Sequence, residues 1–359
     1  MERAKSVIKR LLYAGGALSL YHRLRNRRVL TVATFHRVLS RDDPRWNSSL
    51  PEWTLAEDVF EDCLIFFKRH YTVVGLEDLL ASLRAERPLP SRSLLLTFDD
   101  GYADNEEYAL PLLRRHGLPA AVFIFSDAIG QKTRPWTEDF LSAYLQGDIS
   151  PDEVASFHYM LDPSAARSTE KTLALVCDIV HRGPQLNAPE VQTALSQLRK
   201  PVACVSEPAQ MLGAEQVRTL ARHGVAIGAH GKTHTALPFA TDLAAELREP
   251  RRVLEDVLAS EAQCSVKALA LPHGAHTSDI IDHSLQEGYQ LIFTSLEELS
   301  RITCGRLSTP VIGRINVSGP ALAPYGRLRP EFLAFHFFRR PHAKLKKMVP
   351  LQHKSLQSN

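Results

Sequence analysis

The chain has 359 residues, room for one large barrel-sized domain or two smaller ones. At 44% apolar and 23% charged residues its composition is that of a globular protein, which excludes a disordered chain. The net charge is only +3, yet residues 1–28 carry eight Lys/Arg against one acid, residues 326–359 again eight against one, and the middle is left at −11. An acidic body between basic ends argues against nucleic-acid binding by the body and suits contact between the ends and an anionic membrane surface.

Met1–Arg10 is basic and Leu11–Tyr21 weakly apolar, interrupted by Gly15, Gly16 and Ser19 and followed at once by Arg23, Arg25, Arg27 and Arg28. Eleven residues cannot span a bilayer, and no clear small-x-small cleavage site precedes the folded part. The stretch reads as an amphipathic helix, a basic arm over 1–28 that packs on the domain or lies on a membrane. Cys63, Cys177, Cys204, Cys264 and Cys304 are scattered, with no CxxC pair. They indicate neither a thiolate metal site nor a disulfide framework. They fit a reducing compartment, so the expected location is cytoplasmic, peripheral to the inner face of the membrane.

Val29–His36 has the β-branched content of a strand. Ala56–His70 has helical apolar spacing, Thr72–Val74 reads as a short strand and Leu76–Leu83 as a helix. Leu94–Phe98 is a short apolar run, the pattern of a strand buried on both faces. Asn105–His116 looks helical, with Pro111 implying a kink or late start and Gly117 its stop. Ala120–Phe125 is the next strand. From about 137 to 205 the pattern turns helical, with Trp136–Gln146, Ser150–Leu161 and Ser168–His181, and marks an insertion. The βα alternation then resumes. Gly213–His223, Asp242–Ser260 and Ser278–Glu287 are helices; Val225–Ala229, Val266–Leu271, Gln290–Thr294 and Val311–Val317 are strands. Such alternation with short connections indicates parallel βα units in a barrel or a doubly wound sheet. A basic tail over 319–359 follows, in which Phe332–Phe338 is apolar enough to dock.

Two stretches carry chemistry. Leu94–Phe98 ends in Asp99-Asp100-Gly101, which places two carboxylates at a carboxyl-terminal strand end, where α/β folds build their sites. Alternation along an extended chain points the two aspartates in different directions, so each is free for a different task; an Asp-Gly turn capping the next helix would also explain them. His230 and His234 lie four apart just after a strand. On a helical turn that spacing puts both imidazoles on one face, where they could share a metal; a pair of surface histidines is the plainer alternative. Together with an aspartate at another strand end they supply a His₂Asp set, the layout of a catalytic Zn²⁺ site with open positions for water and substrate. A second carboxylate beside the metal could take the water's proton.

Thr97-Phe98-Asp99-Asp100-Gly101, His230–His234 and Ala270-Leu271-Pro272-His273-Gly274 resemble, in order and placement, the motifs of the polysaccharide deacetylases, with the NodB homology domain of carbohydrate esterase family 4. Weaker likenesses are Phe35-His36-Arg37-Val38, Arg134-Pro135-Trp136 and Arg314-Ile315. The resemblance covers roughly 29–318. It implies a distorted (β/α)₇ barrel, here with a helical insertion, that removes N-acetyl groups from polymeric amino sugars by metal-assisted hydrolysis. Asp99 would be the general base. Asp100, His230 and His234 would bind a divalent metal, usually zinc. Pro272 and Gly274 would line the groove, with a backbone N–H near His273 helping to hold the oxyanion. The family's third motif often begins with an arginine that holds the base; Ala270 stands there, and Arg314 could substitute. The family's general-acid motif has no clear match, leaving His36, His273 and His276 as candidates, with His36 best placed. Trp136 could stack on a sugar ring or pack the insertion. The reading is a metal-dependent de-N-acetylase acting on an N-acetylated glycan or its lipid-linked precursor. A metal-dependent amidase for a small substrate and a glycan-binding barrel without catalysis are the other classes left open.

Overall fold

The computed structural model describes residues 2–131, 134–161, 172–183, 188–198, 210–324 and 326–343. Its centre is a curled parallel sheet. Val29–Phe35, Ser93–Phe98, Ala120–Ile124, Val225–Ala229, Ala268–Ala270 and Leu291–Phe293 lie side by side in that order, all parallel. The expected last strand, Val311–Val317, is broken. Val311–Ile312 pairs with Leu291–Phe293, and Ile315–Asn316 pairs with Val29–Phe35, both in parallel. The two halves close the sheet on itself, giving the distorted (β/α)₇ barrel. Gly313 and Arg314 sit at the break.

The strands form here because their side chains are buried on both faces. Every residue of Val29–Phe35 and of Ser93–Phe98 is buried, as crossover helices on the outside of a parallel sheet require. The register sets the site. Phe35 is opposite Phe98, their rings 5.4 Å apart, and the Asp99 N–H donates to Phe35 O at 3.0 Å. His36 and Asp99 therefore leave adjacent strands at one level. Ile124 is opposite Ala229, and the His230 N–H donates to Ile124 O at 2.9 Å, which brings His230 to the same rim.

The helices follow the sequence pattern closely. Glu57–His70 buries Val59, Phe60, Cys63, Leu64, Phe66 and Phe67. Asn105–Ala109 is a wide π turn before Leu110–His116, so Pro111 stands in a first helical turn. Gly117 ends that helix with φ 63°. The insertion is the helices Trp136–Leu145, Pro151–Leu161, Thr172–Arg182 and Ala188–Ser196, packed around Phe140, Val154, Phe157, Val176 and Ile179. The last of these helices was not expected. The expected end of the insertion near 205, and Cys204, lie outside the described residues.

Three further features go beyond what the sequence pattern specified. The N-terminal arm is two helices, Glu2–Ala14 and Ala17–Arg25, separated at Gly15–Gly16, where Gly16 has φ 77°. Ser300–Thr303 and Arg306–Leu307 form a hairpin that extends the sheet edge. Phe332–Phe338 belongs to the helix Pro330–Phe338, which docks on the barrel: Phe337 lies 5.1 Å from Phe67, and Phe338 lies 4.1 Å from His22.

Candidate active site

At the carboxyl ends of the strands one pocket takes in His36, Asp99, Asp100, His230, His234, His273 and Arg314, with Trp53, His181, Ser295 and Asn316. The turn after Phe98 makes the two aspartates diverge. Asp100 has φ 75° and Gly101 φ 77°, two left-handed residues in succession. A Cβ on Gly101 would lie 2.8 Å from Ile124 Cγ2, so this turn needs glycine. Asp104 pins it from below, through Arg37 Nε at 2.8 Å and the Val38 N–H at 2.9 Å, while the Arg37 guanidinium lies 4.4 Å over the Tyr102 ring.

The two histidines do not sit on a helical turn. Residues 230–236 form an irregular loop, and Gly231 with φ 76° and His234 with φ 66° bring the imidazoles together instead. The loop is held from both sides. The Ser126 and Asp127 N–H groups donate to Gly231 O and Lys232 O at 3.1 and 3.0 Å, and Glu246 Oε2 accepts from the Lys232 and Thr233 N–H groups at 2.8 and 3.2 Å. Non-glycine residues with positive φ cluster here, at Asp100, His234 and His273, as expected where a site over-determines its backbone.

His230 Nε2 and His234 Nε2 each lie 3.2 Å from Asp100 Oδ1. His230 Nδ1 donates to Ala270 O at 2.8 Å, which leaves its Nε2 lone pair facing inward. One donor atom from each of the three residues lies within 4.8 Å of the others. Convergent acceptors in buried space call for a cation between them, and two imidazoles with one carboxylate suit a divalent metal such as zinc. Burial opposes the charge on Asp100, but His234 and His230 beside it hold its carboxyl well below the usual range.

Asp99 is not part of that cluster. Its Oδ1 accepts from Arg314 Nη1 at 2.6 Å, and Arg314 Nε donates to Thr294 O at 3.2 Å. Burial pushes the Asp99 carboxyl up, yet Arg314 wins and holds it below its ordinary value. The pair is almost fully buried. Arg314, set at the break in the last strand, is the arginine that holds Asp99.

His36 stacks on Trp53, ring centroids 5.5 Å apart, and its Nδ1 is buried without a hydrogen-bond partner. Burial pulls its pKa down against the pull of Asp100 and Asp99. His273 is committed elsewhere: its Nε2 donates to His234 O at 3.1 Å. His276 turns back to Gly274 O at 2.9 Å and does not line the pocket. The Gly274 N–H donates to Leu271 O at 2.9 Å inside its own turn. Pro272 packs beneath Gly231, and neither Pro272 nor Gly274 faces the cavity itself.

Trp136 does not reach the pocket. It packs with Phe140 and Phe157, at 6.3 and 5.8 Å, inside the insertion. The aromatic face at the pocket is Trp53. The insertion contributes differently. His181 lines the pocket, 4.6 Å from the His273 ring, and Glu138 accepts a short hydrogen bond from Tyr102 Oη. Burial and the Asp100 charge push the Glu138 carboxyl up to about 7. Nothing in the local sequence around Trp53 or His181 marks them as pocket residues.

A parallel barrel with a buried His₂Asp donor set and a second, arginine-held carboxylate at its carboxyl rim narrows the class considerably. The sequence matches the polysaccharide deacetylase family over residues 86–292. That span is more than half the chain and holds both aspartates and all three donor residues, and the chain belongs to this family. YxkH of Bacillus subtilis (strain 168), which bears the same family designation, is 29% identical over 104 residues, 29% of this chain. The alignment spans 37% of that curated relative's length. Among solved structures, the deacetylase PplD of Streptococcus pyogenes in complex with acetate superposes with a TM-score of 0.54 at 14% identity, over 87% of this chain and 99% of PplD. BC0361, a polysaccharide deacetylase from Bacillus cereus, gives 0.52 at 13% identity, over 87% of this chain and 69% of that one. At these identities the likeness is one of fold.

Proposed function

We propose that the chain is a metal-dependent hydrolase that removes N-acetyl groups from an amino-sugar-containing polysaccharide or its lipid-linked precursor. The observation that carries this reading is the spatial separation of two adjacent carboxylates: Asp100 faces His230 and His234, while Asp99, held by Arg314, lines the same pocket outside that set. Asp100, His230 and His234 would hold the cation, zinc being the expected one. A bound divalent ion supplies Lewis acidity toward water and the acyl oxygen. Asp99, ionised, accepts the proton of the attacking water. Arg314 keeps its carboxylate oriented and charged. His36 lines the same pocket with its Nδ1 unpaired. Burial keeps its ring neutral at rest, so it would pass to the departing amine nitrogen a proton it first takes up there, the one that the attacking water gave to Asp99. Trp53 offers an aromatic face to the apolar side of a sugar ring.

The test is acetate release from a panel of N-acetylated glycans and lipid-linked amino sugars, with and without a chelator. Release that the chelator abolishes and added zinc restores supports the reading. Release from small acylated amines alone would favour an amidase, and binding of glycans without release would favour a non-catalytic barrel.

A further inference from the structure

We propose that the outward faces of the two N-terminal helices form a docking surface for an anionic lipid bilayer. On Glu2–Ala14, Val7, Ile8, Leu11 and Leu12 fall at i, i+1, i+4 and i+5, which is one face of a helix, and they are 38–67% exposed. On Ala17–Arg25, Leu20, Tyr21 and Leu24 repeat the pattern at 41–73% exposed. Among the described residues, these seven are more than half of the thirteen large apolar side chains that are exposed. Such a concentration marks an interaction surface.

The outward faces are not what holds the helices to the barrel. Tyr13 Oη meets His70 Nε2 at 3.3 Å, Lys9 Nζ lies 4.8 Å over the Phe332 ring, and Leu18 and His22 are buried. With those inward faces docked, the fold gives no reason for leucines on the other side. Charge selects the occupant. Exposed Arg10, Arg23, Arg27 and Arg28 border the apolar residues, and residues 1–28 hold eight Lys/Arg against one acid. A second copy would set like charge against like. Anionic headgroups complement that charge while the leucines enter the acyl boundary. Helices of 13 and 9 residues are too short to cross, and none among the described residues is long and apolar enough to do so. The surface therefore lies on the bilayer. This inference stands apart from the deacetylase reading.

Flotation of the full-length protein with vesicles of phosphatidylcholine containing one-third phosphatidylglycerol tests it, with pure phosphatidylcholine vesicles as the second arm. Binding to the anionic vesicles is expected, weakened by high salt. It should fall at least about tenfold in Leu11→Ser/Leu24→Ser and roughly as much in Arg23→Gln/Arg27→Gln. All four positions are outside the core, and an unchanged melting temperature confirms that the variants fold. Failure of the wild-type protein to float, equal binding to neutral vesicles, or undiminished binding by the variants would overturn the proposal. So would light scattering that finds a dimer which Leu11→Ser/Leu24→Ser dissolves.

Discussion

Arg314 reaches Asp99 from a strand of only two plus two residues, and the pairing decides what Asp99 can do. A carboxylate buried beside a guanidinium stays charged; without that partner, burial alone drives its pKa up. In Arg314→Gln the acid limb of the kcat/KM profile, below which the base is protonated, should move to higher pH, with activity down about 10²-fold or more at neutral pH. A limb that stays in place would mean that Arg314 only fills space. At this scale Asp99, Asp100, His230 and His234 were legible only in combination. Each pair alone had a plainer reading, a helix-capping turn or surface histidines, and it was their meeting at two strand ends, with the family resemblance, that pointed to a site. Trp53 and His181 were not, because a long loop and an insertion carry them to the pocket along paths that local spacing does not encode. Of the two readings left open for Trp136, sugar stacking and packing of the insertion, the second holds: its neighbours Phe140 and Phe157 form a core of their own.

Helices and strands with a clear period emerged as the sequence implied, Leu76–Leu83 and Val225–Ala229 to the residue. Pro330–Phe338 has no amphipathic period, being apolar nearly all round, and only its burial against Phe67, Tyr71 and His22 fixes it as a helix. The hydrogen bonds at that junction predict a pH dependence. His22 Nδ1 accepts from Asn26 Nδ2 at 3.0 Å while its Nε2 donates to His70 O at 3.2 Å, so both nitrogens are satisfied only in the neutral ring. Burial lowers the His22 pKa from 6.5 to about 3. The unfolded chain then binds the proton more readily than the folded one. The contribution of His22 to stability is therefore full above about pH 6.5 and declines as pH falls toward about 3. The slope is on the order of 1.4 kcal/mol per pH unit for one such proton. Melting temperatures of wild type and His22→Gln across that window should converge at acid pH. Parallel curves would show that His22 does not titrate with unfolding.

For the whole molecule, the alternation of strands and helices implied parallel βα units, and the family resemblance implied the barrel. Closure was the hidden part. The halves Val311–Ile312 and Ile315–Asn316 are too short to carry a pattern, and they pair with opposite edges of the sheet. Closing there sets Arg314 beside Asp99 and completes a rim on which residues from six different strand ends meet. The central claim is that this rim separates metal holding from proton transfer between two neighbouring aspartates. It is tested most directly by measuring bound metal and acetate release on the same preparations of wild type, Asp99→Asn and His230→Ala. Asp99→Asn should keep a stoichiometric divalent ion and lose turnover by about 10²–10⁴-fold, whereas His230→Ala should lose both. Near-normal release by Asp99→Asn, or loss of its metal along with activity, would contradict that division.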